Sequence, residues 1–478
     1  MTEREFTVAA ANQFIKEHAA DVDTTFRPQV HFTAPVGWIN DPNGMVYFQD
    51  AYHLFYQYYP YDSCWGPMHW GHARSTDLVH WEHLPVALAS DMPYDNNGCF
   101  SGSAIVKGDK LWLMYTGNIV DENGENRQIQ NMAYSTDGIH FEKLACNPVL
   151  TGADLPEGFN KPDFRDPKLF EKDGRYYSVI VSQHVDQVGA VLLFVSDDLE
   201  KWEFASVFLK GLPEQGFMWE CPDYFQIDGQ DLLVVSPMRF KRTEHDYANI
   251  NSSVIFSGKV DWERLEFVAE DVKEIDHGQD FYAPQTLEDK DGRRIMIAWQ
   301  QMWGRNIPTH ELKHAWAGSM TFPRELRLRD GLLQQVFPLE KAELKLLQSA
   351  EAEQVSLEEV LSGPIHLLLE GVVEKGSLII GSEQDKLILS YQDDILALDR
   401  TGLALAIKGE EKVSVEKRTL ALSSLYKLEV IVDGHALDVL VNDGRESLST
   451  TFYIEGERRL HLDLQGQDRV LASLSEIL

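Results

Sequence analysis

Between residues 31 and 335 the apolar positions come in short runs rather than long stripes. MVYFQD, YHLFYQYY, KLWLMYTG, YYSVIVSQ, AVLLFVS, DLLVVSP and RIMIAWQ have strand length, are aromatic and β-branched, and are bounded by Gly, Asp, Asn or Pro. Ahead of them Phe6, Ala9, Ala10, Phe14 and Ile15 make an apolar stripe at helical spacing, and Asp21 and Asp23 give a polar exit. This pattern predicts one short helix over Phe6–Ala19 within an N-terminal extension of residues 1–30.

The strand region repeats itself. Ser75-Thr76-Asp77-Leu78-Val79-His80-Trp81 returns as Ser135-Thr136-Asp137-Gly138-Ile139-His140-Phe141 and as Ser196-Asp197-Asp198-Leu199-Glu200-Lys201-Trp202, with a degenerate copy at Ser257-Gly258-Lys259-Val260-Asp261-Trp262. The serines are 60, 61 and 61 residues apart. Each copy reads as a turn capped by its Asp, with an aromatic ring packed beneath it. About sixty residues hold four strands, one blade of a propeller. Four copies and an opening segment predict a five-bladed β-propeller over residues 31–335.

The pattern then breaks. Residues 336–358 are rich in Glu and Leu and read as a linker with one or two helical turns. From 359 to 478 strand-like runs resume: HLLLEGVV, GSLIIGS, KLILSY, ILALDR, LALAIK, YKLEVIVDG, ALDVLVNDG and RLHLDL. Leu437, Val439 and Val441 alternate with Asp438 and Asn442, as on a half-buried strand. The expected fold class is therefore all-β: a propeller followed by a C-terminal β-sandwich, with a short N-terminal helix.

Charge narrows the function. The 478-residue chain carries a formal charge of −33, which disfavours nucleic acid and anionic membranes as partners. No apolar run approaches the ~18 residues that span a bilayer, and the N-terminus lacks a basic segment followed by an apolar one. Cys64, Cys99, Cys146 and Cys221 are scattered, without CxxC or zinc-type Cys/His spacing, so a reduced, cytoplasmic protein without metal is expected. Aromatic residues make up 11% of the chain, which suits a β core and also the stacking of rings on sugars.

Three carboxylates stand out by context. Asp41 lies in Trp38-Ile39-Asn40-Asp41-Pro42-Asn43-Gly44, Asp166 in Phe164-Arg165-Asp166-Pro167, and Glu220 in Met218-Trp219-Glu220-Cys221-Pro222-Asp223. Together with Ser101 and Tyr282 they open successive repeats, at steps of 60, 65, 54 and 62 residues. Taken alone, each is a plain turn. As equivalent positions on the inner strands of a propeller they converge on one funnel, where carboxylates repel and stability gives no reason to gather them. Two carboxylates flanking a glycosidic bond are the recurring apparatus of glycoside hydrolysis. Glu220, beside Trp219 and Cys221, is the candidate acid with a raised pKa. Asp41, flanked by Asn40 and Asn43, is the candidate nucleophile. Asp166, kept charged by Arg165, is the candidate holder of sugar hydroxyls. Trp38, Tyr58, Trp65, Trp70, Phe100, Trp219, Phe281, Tyr282 and Trp303 lie near blade openings. Of these, Trp65 and Phe100 are the candidate pocket walls, and Gln57 is a two-sided hydrogen-bonding group.

These motifs resemble those of glycoside hydrolase family 32, the invertases, fructan hydrolases and sucrose-6-phosphate hydrolases. The resemblance rests on Trp38–Gly44, Arg165–Pro167 and Glu220-Cys221, continues with Phe100–Ser103, and reaches Val432-Asp433 and Val439–Gly444. It implies a five-bladed propeller joined to a β-sandwich, and a retaining mechanism through a covalent fructosyl-enzyme, with no cofactor and no metal. It also implies Asp41 as nucleophile, Asp166 as transition-state stabiliser and Glu220 as acid/base. Trp38, Asn40, Gln57, Trp65, Phe100, Ser101 and Arg165 are then fructosyl contacts; Cys221, Tyr282 and Trp303 complete the expected substrate-binding set.

The expected substrate is a small saccharide: sucrose, sucrose-6-phosphate or a short fructo-oligosaccharide. A fructosyltransferase would use the same triad. A sialidase-like propeller would need a Tyr nucleophile and an Arg cluster, and a non-catalytic sugar-binding propeller would lack one of the three carboxylates. A phosphate would require basic groups, for which His53, His69, His72, Lys161, Arg239 and Arg305 are available by type. A monomer or homodimer is expected.

Overall fold

The computed structural model describes residues 5–121, 123–410 and 415–478. Five antiparallel sheets surround a central axis. Their innermost strands are Gly37–Phe48, Cys99–Lys107, Phe159–Lys172, Met218–Ile227 and Tyr282–Glu288, and each is followed outward by three more strands. Trp316–Ala317, from the fifth blade, pairs in parallel with Gly37 and Trp38 of the first and so closes the ring. Gln285 adds a second closure: its side chain accepts from the Met45 amide (2.9 Å) and donates to the Gly102 carbonyl (2.9 Å), tying blades 5, 1 and 2.

The blades cohere because each presents apolar residues on both faces. Five hydrophobic clusters fill the five seams; one, for example, packs Val179, Val181 and Leu193 of blade 3 against Trp219, Leu233 and Val235 of blade 4. The repeated motif forms the turn before the outer strand. Asp77 Oδ1 accepts from the amides of Val79 and His80 (both 2.8 Å), and Ser75 Oγ accepts from the Leu78 amide (2.8 Å). Ser135/Asp137 and Ser196/Asp198 repeat this pattern. In the degenerate copy Asp261 still caps a turn, but Ser257 lies within the strand Val254–Asp261. The N-terminal helix runs Val8–His18, with Thr7 Oγ1 accepting from the Ala10 amide (3.1 Å) and Ala11 buried against blade 1.

Leu344–Val360, read above as part of a helical linker, is instead a 17-residue strand paired along Arg459–Ile477. Ile365–Gly381 and Arg459–Ile477 pair along two halves separated by a register break near Glu370 and Val373. One half joins Leu425–Asp433, Ala436–Val441 and Glu446–Thr451; the other joins Lys386–Gln392, Ile395–Asp399 and Lys417–Ala421. The two layers enclose a core of Leu367, Leu369, Val430, Val439, Leu462 and their neighbours. The LALAIK run is irregular rather than a strand, although Leu403 and Ile407 are buried.

The strand Ala436–Val441 is buried on both faces, not half-buried. Its polar face meets the propeller. Asp438 accepts from Arg324 Nη2 (2.6 Å), His31 Nε2 (2.8 Å) and the Phe322 amide (2.9 Å). Asp433 takes the amides of Gln29, Val30 and His31, while Arg305 and Arg400 pair with Asp280. Buried charges of this kind persist only when paired and hydrogen-bonded, and they fix the sandwich on the ring. No described helix is long and apolar enough to cross a membrane.

Candidate active site

All five innermost strands carry a bulge at the same level. The ladder skips Asn40-Asp41, Ser101, Asp166-Pro167, Cys221-Pro222 and Ala283-Pro284. Proline has no N–H to give a ladder, so bulges are where a strand tolerates it. In blade 2, Gly102 serves, because a Cβ there would lie 2.0 Å from the Met114 carbonyl oxygen. Asp166, Cys221 and Ala283 take left-handed φ values of 62°, 48° and 50°. Such backbone costs a non-glycine residue about 1–3 kcal/mol and concentrates at functional sites.

The expected equivalence holds with an offset. Asp41, Ser101 and Asp166 lie in their bulges, with Cys221 and Ala283 in the corresponding places. Glu220 and Tyr282 stand one residue earlier, level with Phe100 and Arg165. The mouth therefore has two tiers. In one, Asp41 Oδ2 accepts from Ser101 Oγ (2.7 Å) and the Cys221 thiol (3.5 Å), while its Oδ1 accepts from Asn40 Nδ2 (3.1 Å). Asp166 Oδ2 accepts from the Cys221 amide (2.9 Å) and thiol (3.7 Å), so Cys221 bridges the two aspartates. In the other tier, Glu220 Oε1 accepts from Arg165 Nη2 (3.0 Å) and Oε2 from the Tyr282 hydroxyl.

Burial dominates the electrostatics. It pushes Asp41 above the usual aspartate range; Glu220's charge adds to this, and the Ser101, Asn40 and Cys221 donors offset it. Asp166 is pushed up to about 7, again first by burial, with Glu220 and Asp41 adding and Arg165 opposing. The expectation that Arg165 keeps Asp166 fully charged is thus overturned: desolvation of a buried carboxylate outweighs one guanidinium whose charge is shared with Glu220 and Asp163. Burial also holds the Cys221 thiol protonated. The apolar bed expected for Glu220 is absent too. Strand alternation turns Trp219 into the seam between blades 3 and 4, with its Nε1 on the Gln215 carbonyl, and Arg165 and Tyr282 face the Glu220 carboxylate instead.

The other candidates divide cleanly. Trp38 donates to Asn40 Oδ1 (2.9 Å), and Gln57 donates to Asn43 Oδ1 (2.7 Å) and the Cys99 carbonyl (3.0 Å), so both brace the Asp41 segment. Trp65, 44% exposed, stands edge-on to Phe100 at 6.1 Å. Trp303 is half-buried and stacks on Trp38 at 6.1 Å. Tyr58, Trp70, Trp219 and Phe281 are buried structural rings. Of the six basic candidates, His53 and His72 hydrogen-bond each other within blade 1, and burial pushes both below the usual histidine range, as it does His69. Arg305 is paired with Asp280, whereas Lys161 and Arg239 are exposed.

Sequence reasoning missed the support of Asp166. Thr116 Oγ1 accepts from its amide (2.9 Å) while donating to Gln130 (2.9 Å), and Gln128 and Asp163 hold Arg165. Thr116, Gln128 and Gln130 come from blade 2, and nothing in the local sequence marks them as neighbours of Arg165-Asp166.

The model of the "Glycosyl hydrolases family 32 N-terminal domain" matches residues 31–336. The chain belongs to glycosyl hydrolase family 32. Relatives of this family 32 chain include a sucrose-6-phosphate hydrolase of Bacillus subtilis, 35% identical and covering 92% of this chain and 91% of its own. A raffinose invertase of Escherichia coli is 34% identical over 95% and 94%. Among solved structures, a Bombyx mori GH32 β-fructofuranosidase superposes with a TM-score of 0.84 at 31% identity, covering 98% and 97%. A sucrose-6-phosphate hydrolase from Lactobacillus gasseri gives 0.86 at 26% identity, covering 99% of each chain.

Proposed function

We propose that this β-fructofuranosidase is a retaining enzyme, with Asp41 as nucleophile, Glu220 as acid/base and Asp166 as transition-state stabiliser. The observation that carries this is the contrast in partners around the three convergent carboxylates. Asp41 receives three donors that stabilise an anion, Ser101 and Cys221 at Oδ2 and Asn40 at Oδ1. Glu220 is held at both oxygens, by Arg165 and Tyr282, which sets the plane of its carboxyl group.

The chemistry follows from those positions. Asp41 attacks the anomeric carbon of the fructosyl unit while Glu220 protonates the departing glycosidic oxygen. A covalent fructosyl-enzyme results. Water then attacks the same carbon, Glu220 takes its proton, and Asp41 is released. Asp166 accepts hydrogen bonds from ring hydroxyls, which strengthen as positive charge develops in the transition state. Trp65 and Phe100 stack against the sugar at the rim.

We further propose sucrose-6-phosphate as the preferred substrate. The names of several relatives support this, and Lys161 and Arg239 remain exposed on blades 3 and 4, which also carry Asp166 and Glu220. The test is steady-state hydrolysis of sucrose, sucrose-6-phosphate and a short inulin-type oligosaccharide. A higher kcat/KM for the phosphorylated sugar supports the reading. A preference for the neutral sugars overturns the phosphate assignment, and no turnover of any overturns the hydrolase.

A further inference from the structure

A second cluster of polar side chains lies on blade 4, where the loop after Gln230–Met238 and the end of the outer strand Glu266–Glu274 meet the sandwich. His277 Nδ1 faces two carboxylates there: Asp246 Oδ1 at 3.5 Å and Glu274 Oε2 at 3.6 Å. The three atoms lie within 4.8 Å of one another. The His277 ring is only 7% exposed, and its Nδ1 has no hydrogen-bond partner, an unusual condition for a buried nitrogen. The Glu274 side chain is 4% exposed, while that of Asp246 is 42% exposed and opens the cluster to a solvent cleft.

The surroundings orient all three groups. His277 Nε2 lies 3.0 Å from Glu446 Oε2 of the sandwich, so a proton placed on Nε2 leaves the Nδ1 lone pair directed at the carboxylates. A carboxylate fixing the far nitrogen of an imidazole is the usual support of a metal-ligating histidine. The Thr243 hydroxyl donates to Asp246 Oδ2 (2.9 Å) and leaves Oδ1 turned to the ring. The Tyr247 amide donates to Glu274 Oε2, and the His277 amide donates to the Ser447 carbonyl (2.8 Å). The repulsion between such a lone pair and two anionic oxygens is relieved by a proton on Nδ1, which makes the cluster an ion pair, or by a metal ion in the proton's place.

We propose that Asp246, Glu274 and His277 form a binding site for a divalent transition-metal ion, separate from the catalytic funnel. The spacing suits it: ligands about 2.1 Å from a tetrahedral ion stand about 3.4 Å apart, close to the two distances at His277. The mixed imidazole and carboxylate set matches Zn²⁺ or Mn²⁺ rather than Ca²⁺ or Mg²⁺, which take oxygen ligands. The exposed side of Asp246 leaves a position for water. Through Glu446 the ion clasps blade 4 to the sandwich, a structural role.

The full-length protein, stripped with a chelator, should bind one Mn²⁺ or Zn²⁺ in calorimetric titration, and the ion should raise its melting temperature. Asp246→Asn, at a partly exposed position, should weaken binding at least tenfold and abolish that rise; Glu446→Gln should weaken it about 10–100-fold. Pulsed EPR of the Mn²⁺ protein should show coupling to an imidazole nitrogen that disappears in His277→Gln. A structural ion pair only, with no stoichiometric binding by the unmodified protein, overturns the proposal. Binding that Asp246→Asn leaves unchanged and that shows no nitrogen coupling places the ion elsewhere, the funnel carboxylates included, and overturns it equally.

Discussion

Asp166→Asn should make the protein more stable at pH 8 while destroying its activity. Asp166 is 6% exposed, and burial among Asp41 and Glu220 raises it from an ordinary value near 3.8 to about 7. The folded protein therefore binds the proton more tightly than the unfolded chain. The stability associated with that proton is complete below pH 4 and is lost as pH rises through 7. Asn never ionises, whereas the wild type releases the proton, and its unfolded chain gains more from that release than its folded form does. With these two values the linkage relation gives an advantage to Asn of about 2 kcal/mol at pH 5 and about 4 kcal/mol at pH 8. The amide oxygen of Asn can still accept from the Cys221 amide, which Asp166 holds at 2.9 Å, so that buried N–H keeps its acceptor. Calorimetric melting of both proteins at pH 5 and pH 8, with sucrose hydrolysis alongside, measures the effect. If the variant melts no higher than wild type at pH 8, or by the same margin at both pH values, the electrostatic account of the site is wrong.

Other perturbations test other parts of the structure. Asp41→Ala should lower turnover on the order of 10⁴-fold with an unchanged circular dichroism spectrum; substantial residual activity would remove Asp41 from the nucleophile's role. Glu220→Gln should slow sucrose hydrolysis severely but spare fructosyl fluoride, whose leaving group needs no proton; equal loss on both would show that Glu220 is not the acid. Asp438→Ala leaves Arg324 and His31 without a shared buried partner and should destabilise the domain junction by about 3–5 kcal/mol in thermal unfolding; an unchanged melting temperature would mean that the junction relies on its apolar contacts.

The sixty-residue spacing of the Asp-capped turns was enough to read five blades, because each turn is local: Asp77 bonds amides two and three residues ahead. The convergence of Asp41, Asp166 and Glu220 was legible for the same reason, since a repeat converts sequence spacing into position around a ring. The offset of Glu220 and Tyr282 was not, because a bulge inserts one residue and so changes which residue faces the channel. The Leu344–Val360 strand was obscured by its glutamates, although Val355 and Leu357 alternate inward; its partner residues lie 99 to 133 positions further along the chain. Asp438 sat in a pattern that normally means solvent on one face, and only the propeller supplies Arg324 and His31 to cover it. The displaced Asp166 ionisation needed a burial that no local motif encodes.

The site's position follows from where the ring tolerates stress. Left-handed backbone at Asp166, Cys221 and Ala283, together with three mutually repelling carboxylates, would be relieved by small movements in a loop. Here each bulge belongs to a strand paired along its length and packed between two apolar seams, and the ring is closed at Gly37/Trp316 and again through Gln285. Relief in one blade would have to separate seams that hold Trp219, Phe225 or Leu169 almost wholly from solvent. The bulges turn adjacent residues of neighbouring strands into one mouth, and the closed ring keeps them there. Ser101 and Cys221 can therefore come from different blades and still meet the same oxygen of Asp41. That arrangement sets Asp41 against Glu220 before any sugar arrives, so the fold, rather than the substrate, carries the unfavourable energy of assembling the charges.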